Sequence, residues 1–258
     1  MPAEPAAGET LSLRLHHCEL REDAGGRRRW HWASRRTSIP ASRTGILVCD
    51  MWDHHWSRGA AQRVDALAPT MDRWLRGMRA AGCHIVFCPS DVTGAYEGTG
   101  ARRRCQEAPR WELSSAPALE LPPHPVGVTD GGSDTRGDQP VHTQAWRAQH
   151  PALFIDDDRD GLSDVAEEVF GYLAAREVGL VLMAGVHLNM CVLKRPFALI
   201  ELVRNGFEAA LVQDLTDAMY DPADSPYVSH EEGNRLMRGY VARFLCPVVS
   251  SDEVRIEA

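Results

Sequence analysis

Residues 180–191 read LVLMAGVHLNMC, an apolar run without alternation that stops at Gly185 and turns through Val186, His187, Leu188, Asn189 and Met190 to a cysteine. A strand buried on both faces of a parallel sheet reads this way, because odd and even positions alike must be apolar. Outward from it the same texture recurs at 44–49 (TGILVC), 84–88 (HIVFC) and 209–212 (AALV), with shorter candidates at 154–155 and 247–250. Between these runs lie segments of helical period. Residues 60–81 place Val64, Leu67, Met71, Trp74, Leu75 and Met78 on one face and end at Gly82. Residues 163–178 are expected to form a helix opened by Ser163, with Glu167 and Glu168 near its start. One helix should run from Cys191 to about Asn205-Gly206, and a last one from about 230 to 243. Buried strands alternating with amphipathic helices predict an α/β fold: a doubly wound, Rossmann-like, mainly parallel sheet with helices on both faces.

Two regions stand outside this alternation. Residues 11–19 and 28–38 flank the turn Asp23-Ala-Gly-Gly26 and predict a β-hairpin, so 1–43 is read as an N-terminal extension, an accessory lid or oligomer contact preceding a main domain at 44–258. Residues 93–150 are rich in Pro, Gly and charge, include TDGGSDTRGD at 129–138, and read as a long, partly ordered insertion.

The bulk properties narrow the class. The chain has 258 residues, 44% of them hydrophobic and 25% charged, which suits one large globular domain with room for an enclosed pocket. A formal charge of -8 offers no general attraction to nucleic acid or anionic membranes, and the run Arg102-Arg103-Arg104 reads as a solvated face. No apolar run approaches a membrane span and the first ten residues lack the pattern of a signal peptide, so a cytoplasmic location is expected. Seven cysteines without a C-x-x-C pair fit reduced thiols better than disulfides or structural zinc.

In a doubly wound sheet the ligand crevice lies beyond the carboxyl ends of the strands where the strand order reverses, here between the strands at 44–49 and 180–184. The first runs into Asp50-Met-Trp-Asp53-His54-His55-Trp56 and the second into Gly185 through Cys191. A thiol at a helix N-terminus is expected to favour thiolate, and free N–H groups there can hold an oxyanion. A carboxylate facing it can take the thiol proton and return it to a leaving amine.

ILVCDMW, GVHLNMCV and LVQDLTDA resemble the isochorismatase-like cysteine hydrolases, which include nicotinamidases, N-carbamoylsarcosine amidases and ureidoacrylate hydrolases; the resemblance covers roughly residues 44–220. It implies hydrolysis of a small amide, ureide or related C–N bond through a thioester, with Cys191 as nucleophile and Asp50 as general base. It also implies an oxyanion hole at a cis Val186-His187 peptide and the Cys191 amide, with Asn189 bracing the turn. A third catalytic residue, a lysine after the third strand, is absent, since that stretch reads Ile155-Asp-Asp-Asp-Arg159-Asp-Gly-Leu162. Arg159, the single lysine Lys194, His55 and His187 are the candidate replacements. The Asp-x-His metal motif of nicotinamidases is also missing, because Ser90-Asp91-Val92-Thr93 stands in its place. A longer likeness, through DMWDHHW, PSDVTGAYEG, TDGGSDT and DLTDAMYDP, points to an atypical branch of the superfamily. It places Asp53, His55, Ser90, Tyr96, His187, Asp217 and His230 around the pocket, and implies a homo-oligomer acting on a small molecule without cofactor or metal.

Other readings remain open on the residues alone. Cys191 can be a small core residue and Asp50 a helix cap. Asp53 and His55, with His187 or His230, can ligate a metal. Without the lysine, the chain can also be a non-catalytic relative that binds a ligand or partner.

Overall fold

The computed structural model describes residues 8–127 and 144–257, so TDGGSDTRGD lies outside the described residues. A hairpin of β1 (Thr10–Glu22) and β2 (Arg28–Pro40) pairs antiparallel along its whole length, from Thr10 with Pro40 to Glu22 with Arg28. The main strands follow as β3 (Thr44–Cys49), β4 (His84–Cys88), β5 (Gly161–Leu162), β6 (Leu180–Val186), β7 (Ala209–Asp217) and β8 (Val248–Val249), with β9 (Val254–Glu257) last. One nine-stranded sheet results, in the order β2-β1-β8-β7-β6-β3-β4-β5, with β9 pairing β1. All pairs from β8 to β5 are parallel, and the hairpin joins them through an antiparallel contact of His16 with Val248. The hairpin is thus continuous with the sheet at its edge.

Among the described residues six α-helices cover the sheet: α1 (Arg58–Ala81), α2 (Gly100–Gln106), α3 (Ala166–Ala174), α4 (Cys191–Lys194), α5 (Leu199–Arg204) and α6 (His230–Phe244). Side-chain alternation along each strand sends residues to opposite faces. Ile46, Val48, Ile85 and Phe87 pack with Val64, Met71 and Leu75 of α1. Leu47, Cys49, Val86 and Cys88 pack with Phe170 of α3, Leu202 of α5 and Met237 of α6. Both faces are core, which is why the strand sequences show no polar alternation.

The chain fills one side of the sheet with β4 and β5, crosses to β6 beside β3, and continues to β7 and β8. The order therefore reverses between β3 and β6, and the carboxyl ends of those two strands flank the crevice. Gly185, near the end of β6, has φ of 111°, and a Cβ there would stand 2.0 Å from the Cys49 carbonyl oxygen. Only glycine lets the two strands meet this closely. Gly185→Ala is expected to cost at least about 3 kcal/mol, read as a lowered urea midpoint; an unchanged midpoint would contradict the close approach.

Three expected elements are corrected. The third strand is Gly161–Leu162, not 154–155: Phe154 is exposed, under the Arg76 guanidinium at 4.6 Å, while Gly161 and Leu162 pair with Val86 and Phe87. The short strand escaped notice because one of its two residues is a glycine, whose added Cβ would lie 2.8 Å from Cys105 Sγ. The helix expected from 163 begins at Ala166. Ser163 instead accepts from the Val165 amide and donates to Glu168, which is buried in ion pairs with Arg102 and Arg110. The helix expected from Cys191 to Asn205 is broken into α4 and α5 at Arg195-Pro196, because proline disfavours helical geometry in the residue before it.

Candidate active site

Asp50 leaves β3 with φ of 45° and is fully buried. Its Oδ1 accepts the Ser90 amide at 2.7 Å, its Oδ2 accepts Arg195 Nε at 3.0 Å, and the Cys191 thiol lies against the same carboxylate. From the other side β6 ends in a cis Val186-His187 peptide. The following turn is stitched down: Leu188 N–H donates to Asp217 O, and the Met190 and Val192 N–H groups donate to His187 O. Asn189, fully buried, accepts the Met219 amide at 2.8 Å and donates to the Met219 and Gly127 carbonyls. The turn delivers Cys191, the one partly exposed thiol; the other six are buried, and all seven are free.

The cation beside this pair is Arg195, which the sequence reading had not singled out. Pro196 holds it in an extended conformation (φ −60°, ψ 154°), which takes it off the single turn of α4. Its Nε reaches Asp50 and its Nη2 reaches Asp91 Oδ2 at 3.1 Å. The residues considered for this role lie elsewhere. Lys194 is exposed in a surface concavity with His124 and Tyr240, and Arg159 donates to the Arg79 carbonyl. The available signal was the dipeptide Arg195-Pro196, since a residue forced out of a helix one turn after the nucleophile can turn back toward it.

The electrostatics reverse one expectation. Burial first, and then the Asp50 charge, push the Cys191 thiol up to about 12, against the lowering effect of Arg195 and a hydrogen bond from the His187 backbone. The resting thiol is therefore neutral. A helix of four residues supplies too little dipole to offset that desolvation. Burial also raises Asp50, opposed by Arg195, by the thiol and by Ser90.

A cleft of about 190 Å³ opens over the sulfur, lined by Trp52, His55, Trp56, Trp146, His187, Met190, Cys191, Arg195 and Met219. Trp146 stacks on Trp52 with centroids 4.1 Å apart, and His55 lies nearly parallel to it at 5.7 Å. Trp146 arrives on the returning end of the insertion. Asp53 places it by accepting the Arg147 and Ala148 amides at 2.9 and 3.2 Å. These bonds, with His54, hold Asp53 below the usual carboxylate range despite its burial. Asp53 is thus a clamp that lines, in place of this cleft, a small neighbouring cavity with Asp50, His55 and His187. Tyr96 is also outside it, its hydroxyl accepting the Gln149 amide at 2.8 Å, while Ser90 serves through its backbone on Asp50. His55 accepts the Ser57 amide at Nδ1, which assigns its proton to Nε2. Among the described residues no group of three His, Cys, Asp or Glu side chains is arranged to hold a metal ion.

Behind His187, Asp217 accepts from His230, Asn234 and Arg63 at 2.8, 2.8 and 2.9 Å. Asp217 and His230 thus brace the back of the site and do not line the cleft. Burial would raise Asp217, but the His230 hydrogen bond and the charges of His230 and Arg63 bring it down to about 2. Burial drives His187 down to about 3 and His55 down to about 4. Each of these groups has a folded pKa below its unfolded value, so on acidification the unfolded chain takes up the extra protons and stability falls. The histidines act from about pH 6.5 downward and Asp217 from about pH 4 toward 2. Thermal melts are expected to drop steadily between pH 7 and 4, and less so in His55→Gln; a flat profile would contradict this.

No protein-family model matches the chain, and no curated protein sequence matches it. Solved structures do match. A cysteine hydrolase from Pseudomonas syringae pv. phaseolicola aligns with a TM-score of 0.51 and 19% identity, covering 83% of this chain and 92% of that one. An isochorismatase from Pseudomonas putida aligns with a TM-score of 0.50 and 12% identity, covering 84% and 92%. The chain has the isochorismatase-like hydrolase fold over most of its length, and at these identities the likeness is one of fold. Among the described residues no helix is long and apolar enough to cross a membrane.

Proposed function

We propose that the chain is a cysteine hydrolase of a small amide, ureide or related C–N bond, with Cys191 as nucleophile and Asp50 as its proton acceptor. The observation that carries this reading is the one partly exposed thiol set against a fully buried carboxylate, at the strand-order reversal and beneath a cleft sized for a small molecule. In the first step Cys191 Sγ forms a bond to the carbonyl carbon as its proton passes to Asp50, and the carbonyl π pair moves onto oxygen. The amides of His187, which meets the sulfur at rest, and of Cys191 donate to no backbone carbonyl among the described residues, and both are available to that oxygen. Collapse expels the amine, which takes the proton from Asp50. Water then attacks the thioester, giving a proton to Asp50, and the departing sulfur recovers it.

The test is ammonia release from a panel of small primary amides and ureides. Turnover of at least one, absent in Cys191→Ala, is expected; turnover retained by Cys191→Ala overturns the proposal. Tight binding of a panel member without product would instead favour a non-catalytic binding protein.

A further inference from the structure

We infer that Arg195 is the positioning residue that keeps Asp50 ionised as the proton acceptor of Cys191, and that Pro196 is what puts it there. This rests on the reading of Cys191 and Asp50 given above and adds how the pair is made to work. Asp50 is a fully buried carboxylate, and burial alone drives such a group toward its neutral form, which cannot accept a proton. Its surroundings offer one remedy. The groups facing it are the buried thiols of Cys49 and Cys88, the Cys191 thiol, the Ser90 amide and the Arg195 guanidinium, and Asp53, His55 and His187 share a small cavity with it; burial keeps both histidines neutral near pH 7, so among the described residues Arg195 is its single cation.

The guanidinium is itself held from two sides. Its Nε donates to Asp50 Oδ2 and its Nη2 to Asp91 Oδ2, and Asp91 donates its own backbone amide to Asp164. A fork that serves two carboxylates at once fixes both the charge and the orientation of Oδ2, which a single-point ammonium would not do. The side chain is 28% exposed and forms part of the cleft wall, so its charge is accessible to small solutes. The extended backbone at Arg195 makes this reach possible, because in a continuing helix the side chain would project from the next turn.

Iodoacetamide alkylation of Cys191, followed by peptide mass mapping across pH 4 to 9, reads this out. A neutral thiol needs ionised Asp50 to react near neutrality, so the rate falls on the acid side where Asp50 protonates. In Arg195→Ala that acid limb should move upward by about one pH unit or more, with the rate at pH 6 reduced about tenfold. Guanidinium at low, non-denaturing concentration should restore much of the rate in this variant, whereas a purely structural loss would not be rescued. Arg195→Met, which keeps the apolar stem, should shift the limb in the same way if the alanine variant fails to fold. A limb that stays in place with rates within about threefold overturns the proposal. The alkylation limb reports on Asp50 whether or not any amide is hydrolysed, so a failed hydrolysis assay and an unmoved limb are separate results.

Discussion

Cys191→Ala is expected to lower turnover by at least about 10⁴-fold while the protein stays folded, because the substitution removes the atom that forms the covalent intermediate. What remains is whatever the backbone donors and the cleft contribute to water attack. The thiol is partly exposed and its polar neighbours are Asp50, Arg195 and the His187 backbone, so its loss should change stability by only about 1 kcal/mol. Parallel urea titrations separate the two effects. A variant that unfolds in parallel with its loss of activity would leave the chemistry unassigned to the sulfur, and Cys191→Ser, which keeps a hydrogen-bond donor, would then carry the comparison. A variant with full turnover would contradict the nucleophile outright.

Asp50→Asn is the second large effect, and its value lies in two readouts that move in opposite directions. Without a carboxylate there is no acceptor for the thiol proton, and turnover should fall by about 10² to 10⁴-fold. The Asp50 charge is also one of the causes that hold the Cys191 thiol up near 12, so its removal lets the thiol ionise at lower pH. Alkylation by iodoacetamide above about pH 9 should therefore become faster in the variant while hydrolysis becomes slower. A pair that relied on a standing thiolate would show both rates rising together. The amide also leaves Arg195 facing a neutral partner, which should cost about 1 to 3 kcal/mol of stability.

The architecture could be read from the sequence because its strands are buried on both faces. Runs such as TGILVC and HIVFC have no polar alternation to disguise them, and their end residues point straight to the crevice. Asp50, His187 and Cys191 followed from strand-end position together with a short motif. What escaped depended on tertiary context. Gly161–Leu162 is a strand only because β4 offers it a neighbour, and a two-residue pattern carries no period. Trp146 lines the cleft because Asp53 holds the amides that follow it, a contact across more than ninety residues of chain. Tyr96 and Asp217 were expected at the pocket as side chains, and instead they pin the backbone or buried groups behind it, while Asp53 pins backbone and also lines a small cavity beside Asp50, His55 and His187.

Arg195 illustrates the same limit most sharply. Counting lysines near the nucleophile leads to Lys194, yet one residue further the proline redirects the chain, and the guanidinium rather than the ammonium meets the carboxylate.

The most direct test of the central claim is to mix the protein with excess p-nitrophenyl acetate, quench in acid within seconds, and map the acetyl group by peptide mass. A cysteine nucleophile served by Asp50 predicts one acetyl per chain on the peptide holding Cys191, a matching burst of nitrophenolate, and loss of both in Cys191→Ala. An acetyl group found elsewhere, or a burst that survives in Cys191→Ala, would contradict it.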